Sequence, residues 1–314
     1  MNKTIKRLLC CLLTIALTFL LIQRTGLILD PEWSQDGLDV IDAFDSLEDN
    51  SLDVIVYGSS HAWKGCDTRV MCDDYGIKAY NYACNWQAIN TIKLFLEDSL
   101  RTQTPKVVCI EVGLVDSLEQ NVDLDGQIYY TRSMSDFDGK RQYLKQCFGN
   151  DPERYISYYM PLYMFHDNWI NINYESWLFR GPDRWINTKG YCADYSDTVR
   201  EYELPDPTVF PQKELRADCI NVLQDIVDLC HSKGVEVIFY TAPCICEYNY
   251  HDFMLQFAID NDCTYLDLYY YYDDLSLDGK TDFQDSAHLN GSGARKVAAF
   301  LAEYVIANYD IDHF

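Results

Sequence analysis

The sequence predicts an α/β fold built on a doubly wound parallel sheet, preceded by a membrane helix and interrupted by an aromatic-rich insertion. Three observations predict it. Short β-branched and aromatic runs alternate with stretches of helical periodicity in the first and last thirds of the chain. The first of these runs ends in a glycine followed by two serines. The chain also opens on a basic cluster and a long apolar run.

Met1–Arg7 carries Lys3, Lys6 and Arg7, and Leu8–Ile22 is apolar except for Thr14 and Thr18. That pattern is a signal peptide or a signal anchor. The run is short against the roughly 20 residues of a full span. It reaches that length when Thr25–Leu29 joins it past Gln23 and Arg24. No A-x-A-like cleavage site follows, and Cys10 and Cys11 precede the bulk of the apolar run, against a lipoprotein site. Residues 1–29 are therefore read as an uncleaved single-pass anchor in the cell membrane. The positive-inside rule puts its amino terminus in the cytoplasm and the rest outside. Residues 30–50, acidic and proline-containing, read as a linker, and 51–314 as one domain with a large core.

Within that domain, Val54–Tyr57 reads as a buried strand. Asp67–Tyr80 has room for a short helix, and Ala79–Cys84 reads as a second strand. In Trp86–Leu100, Ile89, Ile92, Leu96 and Leu100 sit at helical spacing, and Lys106–Val112 is a third strand. From about 118 to 210 the alternation stops. Tyr129, Tyr130, Tyr155, Tyr158, Tyr159, Tyr163, Phe165, Trp169, Trp177, Phe179 and Trp185 crowd this insertion. They are either the wall of a carbohydrate or lipid-headgroup cleft, a surface resting on the membrane interface, or the core of a helical cap. Pro211–Lys233 then carries a stripe of Leu215, Cys219, Val222, Ile226 and Cys230, stopped by Gly234. Val235–Tyr240 and Thr264–Leu268 are two more strands, and Ser292–Ile306 is a closing amphipathic helix.

The net charge of −24 disfavours nucleic acid as a partner, since phosphate binding needs a basic face. Thirteen cysteines are many for such a chain. Outside the membrane Cys66, Cys72 and Cys84, or Cys244 and Cys246, can pair, whereas Cys109, Cys219 and Cys230 fall on apolar faces and read as core. No C-x-x-C pair or close histidine pair points to a metal, and no cofactor is expected.

The chemistry gathers at two places. After Val54–Tyr57 come Gly58, Ser59, Ser60 and His61. A strand ending in a glycine-permitted turn presents the next side chain at the carboxyl edge of the sheet, where open α/β folds bind ligands. A serine there is a candidate nucleophile if a base reaches it. Near the other end, Asp285 and His288 are three apart and can share one face of a tight turn, with the carboxylate holding one imidazole nitrogen and the other accepting a serine proton. Bland readings exist for each: a turn serine, a loop histidine, and Asp285 as the N-cap of the closing helix. His61, adjacent to the serines on a sharp turn, is read as lining the site rather than as the base.

Serine after an early strand, followed much later by Asp285-x-x-His288 before the last helix, resembles the SGNH/GDSL hydrolase family. The likeness covers about Leu52–Gln120 and Pro211–Asn308. It implies a three-layer α/β/α, flavodoxin-like sheet, puts Ser60 at the nucleophile position with Ser59 where the family has Asp, and makes Asp285 and His288 the partners of Ser60. In the family a glycine after the second strand and the asparagine of Gly-x-Asn-Asp after the third supply oxyanion donors. Here those blocks read Asn81-Tyr82-Ala83-Cys84-Asn85-Trp86 and Gly113-Leu114-Val115-Asp116. Ala83, Cys84, Asn85 and Gly113 are therefore the candidate donors or site-lining residues, and a missing donor typically costs about 10²–10³ in rate. Anchored extracytoplasmic members, those of teichoic-acid D-alanylation and exopolysaccharide O-acetylation, resemble this layout. The resemblance implies a serine esterase or O-acyltransferase acting on acyl esters of cell-wall or surface glycans. The degraded blocks leave a second reading open: a weakly active or inactive protein that binds glycan or a membrane acyltransferase partner.

Overall fold

The computed structural model describes residues 3–118, 127–177, 181–194, 196–245 and 250–314, without the side chains of 32, 33, 127, 130 and 175. Gln120, Phe179, Cys246 and the ring of Tyr130 lie outside what is described. Five parallel strands form one sheet: β1 (Val54–Tyr57), β2 (Ala79–Asn81), β3 (Val107–Glu111), β4 (Glu236–Thr241) and β5 (Thr264–Asp267), in the order β2-β1-β3-β4-β5. This is the flavodoxin-like order expected, with its switch point between β1 and β3. The strands are almost wholly buried, as a parallel sheet covered on both faces requires.

The helices, in chain order, are α1 (Lys3–Leu29), α2 (Glu32–Asp45), α3 (Ser60–Trp63), α4 (Thr68–Asp73), α5 (Ile89–Ser99), α6 (Gln127–Tyr130), α7 (Asp138–Phe148), α8 (Pro152–Tyr159), α9 (Pro161–Phe165), α10 (Asp183–Asn187), α11 (Ala217–Ser232), α12 (His251–Asp260) and α13 (Gly291–Asn308). Tyr57, Ile110 and Phe239 stand in register and so share one face of the sheet. The Tyr57 hydroxyl lies 2.5 Å from Ser99 Oγ of α5, and Phe239 packs edge-on to Phe257 of α12. α11 packs against α5 and β4 on the same side. Cys109 points the other way, beside Cys66, toward the layer in which α4 packs on α13.

Residues 30–50, expected as a linker, are not one. They fold as α2, which buries Val40, Ile41, Ala43 and Phe44 completely or nearly so, with the Phe44 ring stacked 4.0 Å from Tyr82. The acidic residues of this helix lie between its apolar positions, and the stripe Val40, Ile41, Phe44 is what the composition concealed. α12 is a second element that the sequence reading did not single out. The cysteines Cys66, Cys72 and Cys84, considered for pairing, are free thiols, the proposed Cys244–Cys246 pair reaches outside the described residues, and Cys109, Cys219 and Cys230 are fully buried core residues as expected.

α1 is long and apolar enough to cross a membrane. At about 1.5 Å per residue it measures about 40 Å, against a hydrocarbon core of about 30 Å. Its apolar side chains up to Leu21 are exposed, while Gly26 and Leu29 are buried against the insertion. The insertion's aromatics divide between burial and exposure. Tyr129, Tyr158, Phe165 and Trp185 are buried, Trp185 against Trp63, and make a local core, whereas Tyr159, Tyr163, Trp169 and Trp177 face outward.

Candidate active site

The site is assembled at the carboxyl edge of the sheet, where β1 and β3 end and the chain diverges to opposite sides. Gly58 makes the turn out of β1 at φ +147, and an added Cβ would stand 2.6 Å from Glu111 Cβ and 2.8 Å from Ala62 Cβ. Only glycine fits there. Ser59, fully buried, caps the single turn of α3 by accepting from the His61 N–H (3.3 Å). Asn81, at the end of β2, clamps the far end of that turn, its Nδ2 donating to the carbonyls of Ala62 (2.8 Å) and Cys66 (3.0 Å). α3 thus has little freedom, and Ser60 at its first position is left partly exposed.

The segment before α13 brings the second half of the site. An isolated bridge pairs Phe283 with Leu289, and Gln284 N–H donates to the His288 carbonyl. Inside this loop the Asp285 carboxylate accepts from the N–H groups of Ala287 (2.8 Å) and His288 (2.9 Å). The same carboxylate lies 2.9 and 3.0 Å from His288 Nδ1, and His288 Nε2 lies 2.7 Å from Ser60 Oγ. The cap of α13 is Asn290, not Asp285: its Oδ1 accepts from Ser292 and Gly293 N–H while its Nδ2 donates to Thr198 and Thr281 carbonyls. Asp285 is therefore free of that bland role. With Nδ1–H donated to Asp285, Nε2 is the acceptor for the Ser60 hydroxyl.

The electrostatics favour a neutral imidazole. Burial, reinforced by Lys64 and His61 and only partly opposed by Asp285, pulls the His288 pKa below its ordinary value. Burial alone would raise the Asp285 carboxyl, but the two backbone N–H groups and the imidazole outweigh it and lower it.

Beside this chain of contacts lies a group that the sequence reading missed. Glu111, the last residue of β3, is fully buried. Its carboxyl accepts from Ser59 Oγ (3.1 Å) and Gly113 N–H (2.7 Å), and its Oε1 lies 3.6 Å from His61 Nδ1. Burial lowers the His61 pKa, but Glu111 more than reverses this, with a smaller push from Asp285. The His61 ring is 5.5 Å from that of His288. The signal for Glu111 was present: a carboxyl closing the otherwise apolar run Val107–Ile110 at the edge of a buried sheet.

The candidate oxyanion donors fare unequally. Gly113 N–H is committed to Glu111. Cys84 N–H, 3.3 Å from the Gln87 side-chain oxygen when that amide nitrogen donates to the Gly58 carbonyl at 2.9 Å, is committed too. Val115, in the asparagine position, is buried and has no side-chain donor. Ala83 is buried and Asn85 partly so; between Asn85 and Gln87, Trp86 takes φ +55, a left-handed backbone that bulky residues seldom adopt.

No protein-family model matches the chain, and no curated protein matches it. Among solved structures it is similar to an acetyl xylan esterase, at 15% identity and a TM-score of 0.41, covering 80% of this chain and 99% of that one. It is also similar to a GDSL-like lipase from Bacteroides thetaiotaomicron, at 10% identity and a TM-score of 0.37, covering 81% and 87%. Likenesses this distant leave the reading of the site to its own geometry.

Proposed function

We propose that the chain is a serine-dependent ester hydrolase or O-acyltransferase, held at the membrane by α1 and working outside the cytoplasm on acyl esters of cell-wall or surface glycans. The observation that carries the reaction type is the relay Ser60 Oγ–His288 Nε2 at 2.7 Å with His288 Nδ1 at 2.9 Å from Asp285. In this reading Ser60 Oγ attacks the ester carbonyl as His288 Nε2 takes its proton, and Asp285 stabilises the imidazolium so formed. The tetrahedral intermediate collapses as His288 returns the proton to the departing alcohol, leaving the acyl group on Ser60. Water, or a glycan hydroxyl, then gives its proton to His288 and removes the acyl group by the same steps in reverse. Glu111 fixes Ser59, Gly113 and His61 around the nucleophile, and the positive character it gives His61 opposes protonation of His288.

The commitment of Gly113 and Cys84 N–H elsewhere favours a second reading, in which turnover is weak and the site binds glycan or a membrane acyltransferase partner. Labelling the full-length protein in detergent with a fluorophosphonate probe decides between them. Stoichiometric labelling of wild type, abolished in Ser60→Ala and cut by orders of magnitude in His288→Ala, is the expected result. A folded wild type that stays unlabelled overturns the enzyme reading.

A further inference from the structure

The apolar residues of the insertion that face outward are not scattered. Trp169 and Ile170 lie on the 3-10 turn His166–Asn171, and Trp177 on the 3-10 turn Glu175–Trp177; Tyr174 lies between them. Their exposures are 66, 68, 60 and 75%, respectively, and Tyr159 and Tyr163 of the preceding helices are exposed as well. Both turns and α9 pack against α1. The contact is close and falls at the end of α1: an added Cβ on Gly26 would stand 2.8 Å from the Leu162 nitrogen, and Asn168 Nδ2 donates to the Leu29 carbonyl at 2.7 Å.

We propose that this face is a lipid-binding surface, seated in the headgroup layer of the bilayer that α1 spans. Its level is fixed by the helix. A span of roughly 20 residues counted from Leu8 ends near Leu27, and Asn168 meets α1 at the Leu29 carbonyl, just beyond that end. The residues bound to this stretch of α1 therefore stand at the membrane–water boundary. Their chemistry suits it: tryptophan and tyrosine concentrate where one side of a ring is apolar and the other wet. Residues 155–177 contain no lysine or arginine and do contain Asp167 and Glu175, so attraction to anionic headgroups is not the driving force. Apolar burial is. The proposal rests on the spanning reading of α1 and is independent of the chemistry at Ser60.

The test uses the full-length protein reconstituted into phosphatidylcholine vesicles, with plain or brominated acyl chains, and reads tryptophan fluorescence alongside flotation. Brominated lipid is expected to quench wild type, and the quenched component is expected to be lost in Trp169→Phe/Trp177→Phe while the variant still floats with the vesicles. Flotation with quenching unchanged by the double substitution overturns the surface and keeps the anchor. Failure to float overturns both. Unquenched Trp169 and Trp177 together with a cross-linked dimer that the double variant dissolves assigns the face to a second copy instead.

Discussion

Glu111 never touches the proton path, yet three groups on two segments depend on it: Ser59 and His61 at α3, and the Gly113 backbone after β3. Replacing it with leucine keeps much of the volume but removes every acceptor that faces these donors. Leaving buried donors unsatisfied costs about 1–3 kcal/mol, so Glu111→Leu is expected to lower the unfolding free energy by that amount, read as a lower urea midpoint with the slope unchanged. The pH dependence follows from His288. Its pKa lies below the ordinary histidine value, and the base must be neutral. Ester turnover is therefore expected to be full at neutral pH and to fall as pH drops through that lowered pKa. His61→Gln removes a positive neighbour, so the acid limb of kcat/KM is expected to move to higher pH; a limb that stays in place refutes the coupling. At this scale Ser60, Asp285 and His288 were legible because each sits in a local motif with its own turn chemistry. Gln87 was not, and Glu111 showed only as a carboxyl closing an apolar strand, because their roles come from partners on other segments that no spacing in the chain reveals.

Among elements, α2 shows what composition hides. Its acidic residues suggested a solvated connector, but a helix needs only one apolar face, and Val40, Ile41 and Phe44 supply it. Phe44 stacks on Tyr82 at 4.0 Å and meets Tyr80 edge-on. Truncating a buried phenylalanine typically costs about 3–5 kcal/mol, so Phe44→Ala is expected to destabilise the whole domain in denaturant melts; a loss below about 1 kcal/mol would restore the linker reading. The five strands were legible because short β-branched runs bounded by glycine and polar residues have few alternatives in an α/β chain. Strand ends shifted by a few residues: the second was expected to reach Cys84 and stops at Asn81, where Asn81 turns its amide to α3 instead.

For the molecule as a whole, the parallel sheet followed from the alternation of the outer thirds and the carboxyl-edge placing of Ser60 from the strand that ends in Gly58, while the flavodoxin-like strand order rested on the family resemblance. The middle third resisted, since its aromatics serve burial in some places and exposure in others, and only the contacts with α1 and Trp63 separate the two. The folding of residues 30–50 into α2, together with the ion pair between buried Asp30 and Arg132 at its start, has a further consequence. A flexible tether of that length would let the domain wander over roughly 25 Å. Joined instead by a packed helix, the domain has no leash: with α1 spanning a bilayer as proposed, the height and tilt of Ser60 above it would be set by the fold. On that proposal the protein could not sample the surrounding volume for its substrate, and ester-bearing chains would have to come to it, within one fixed shell above the membrane.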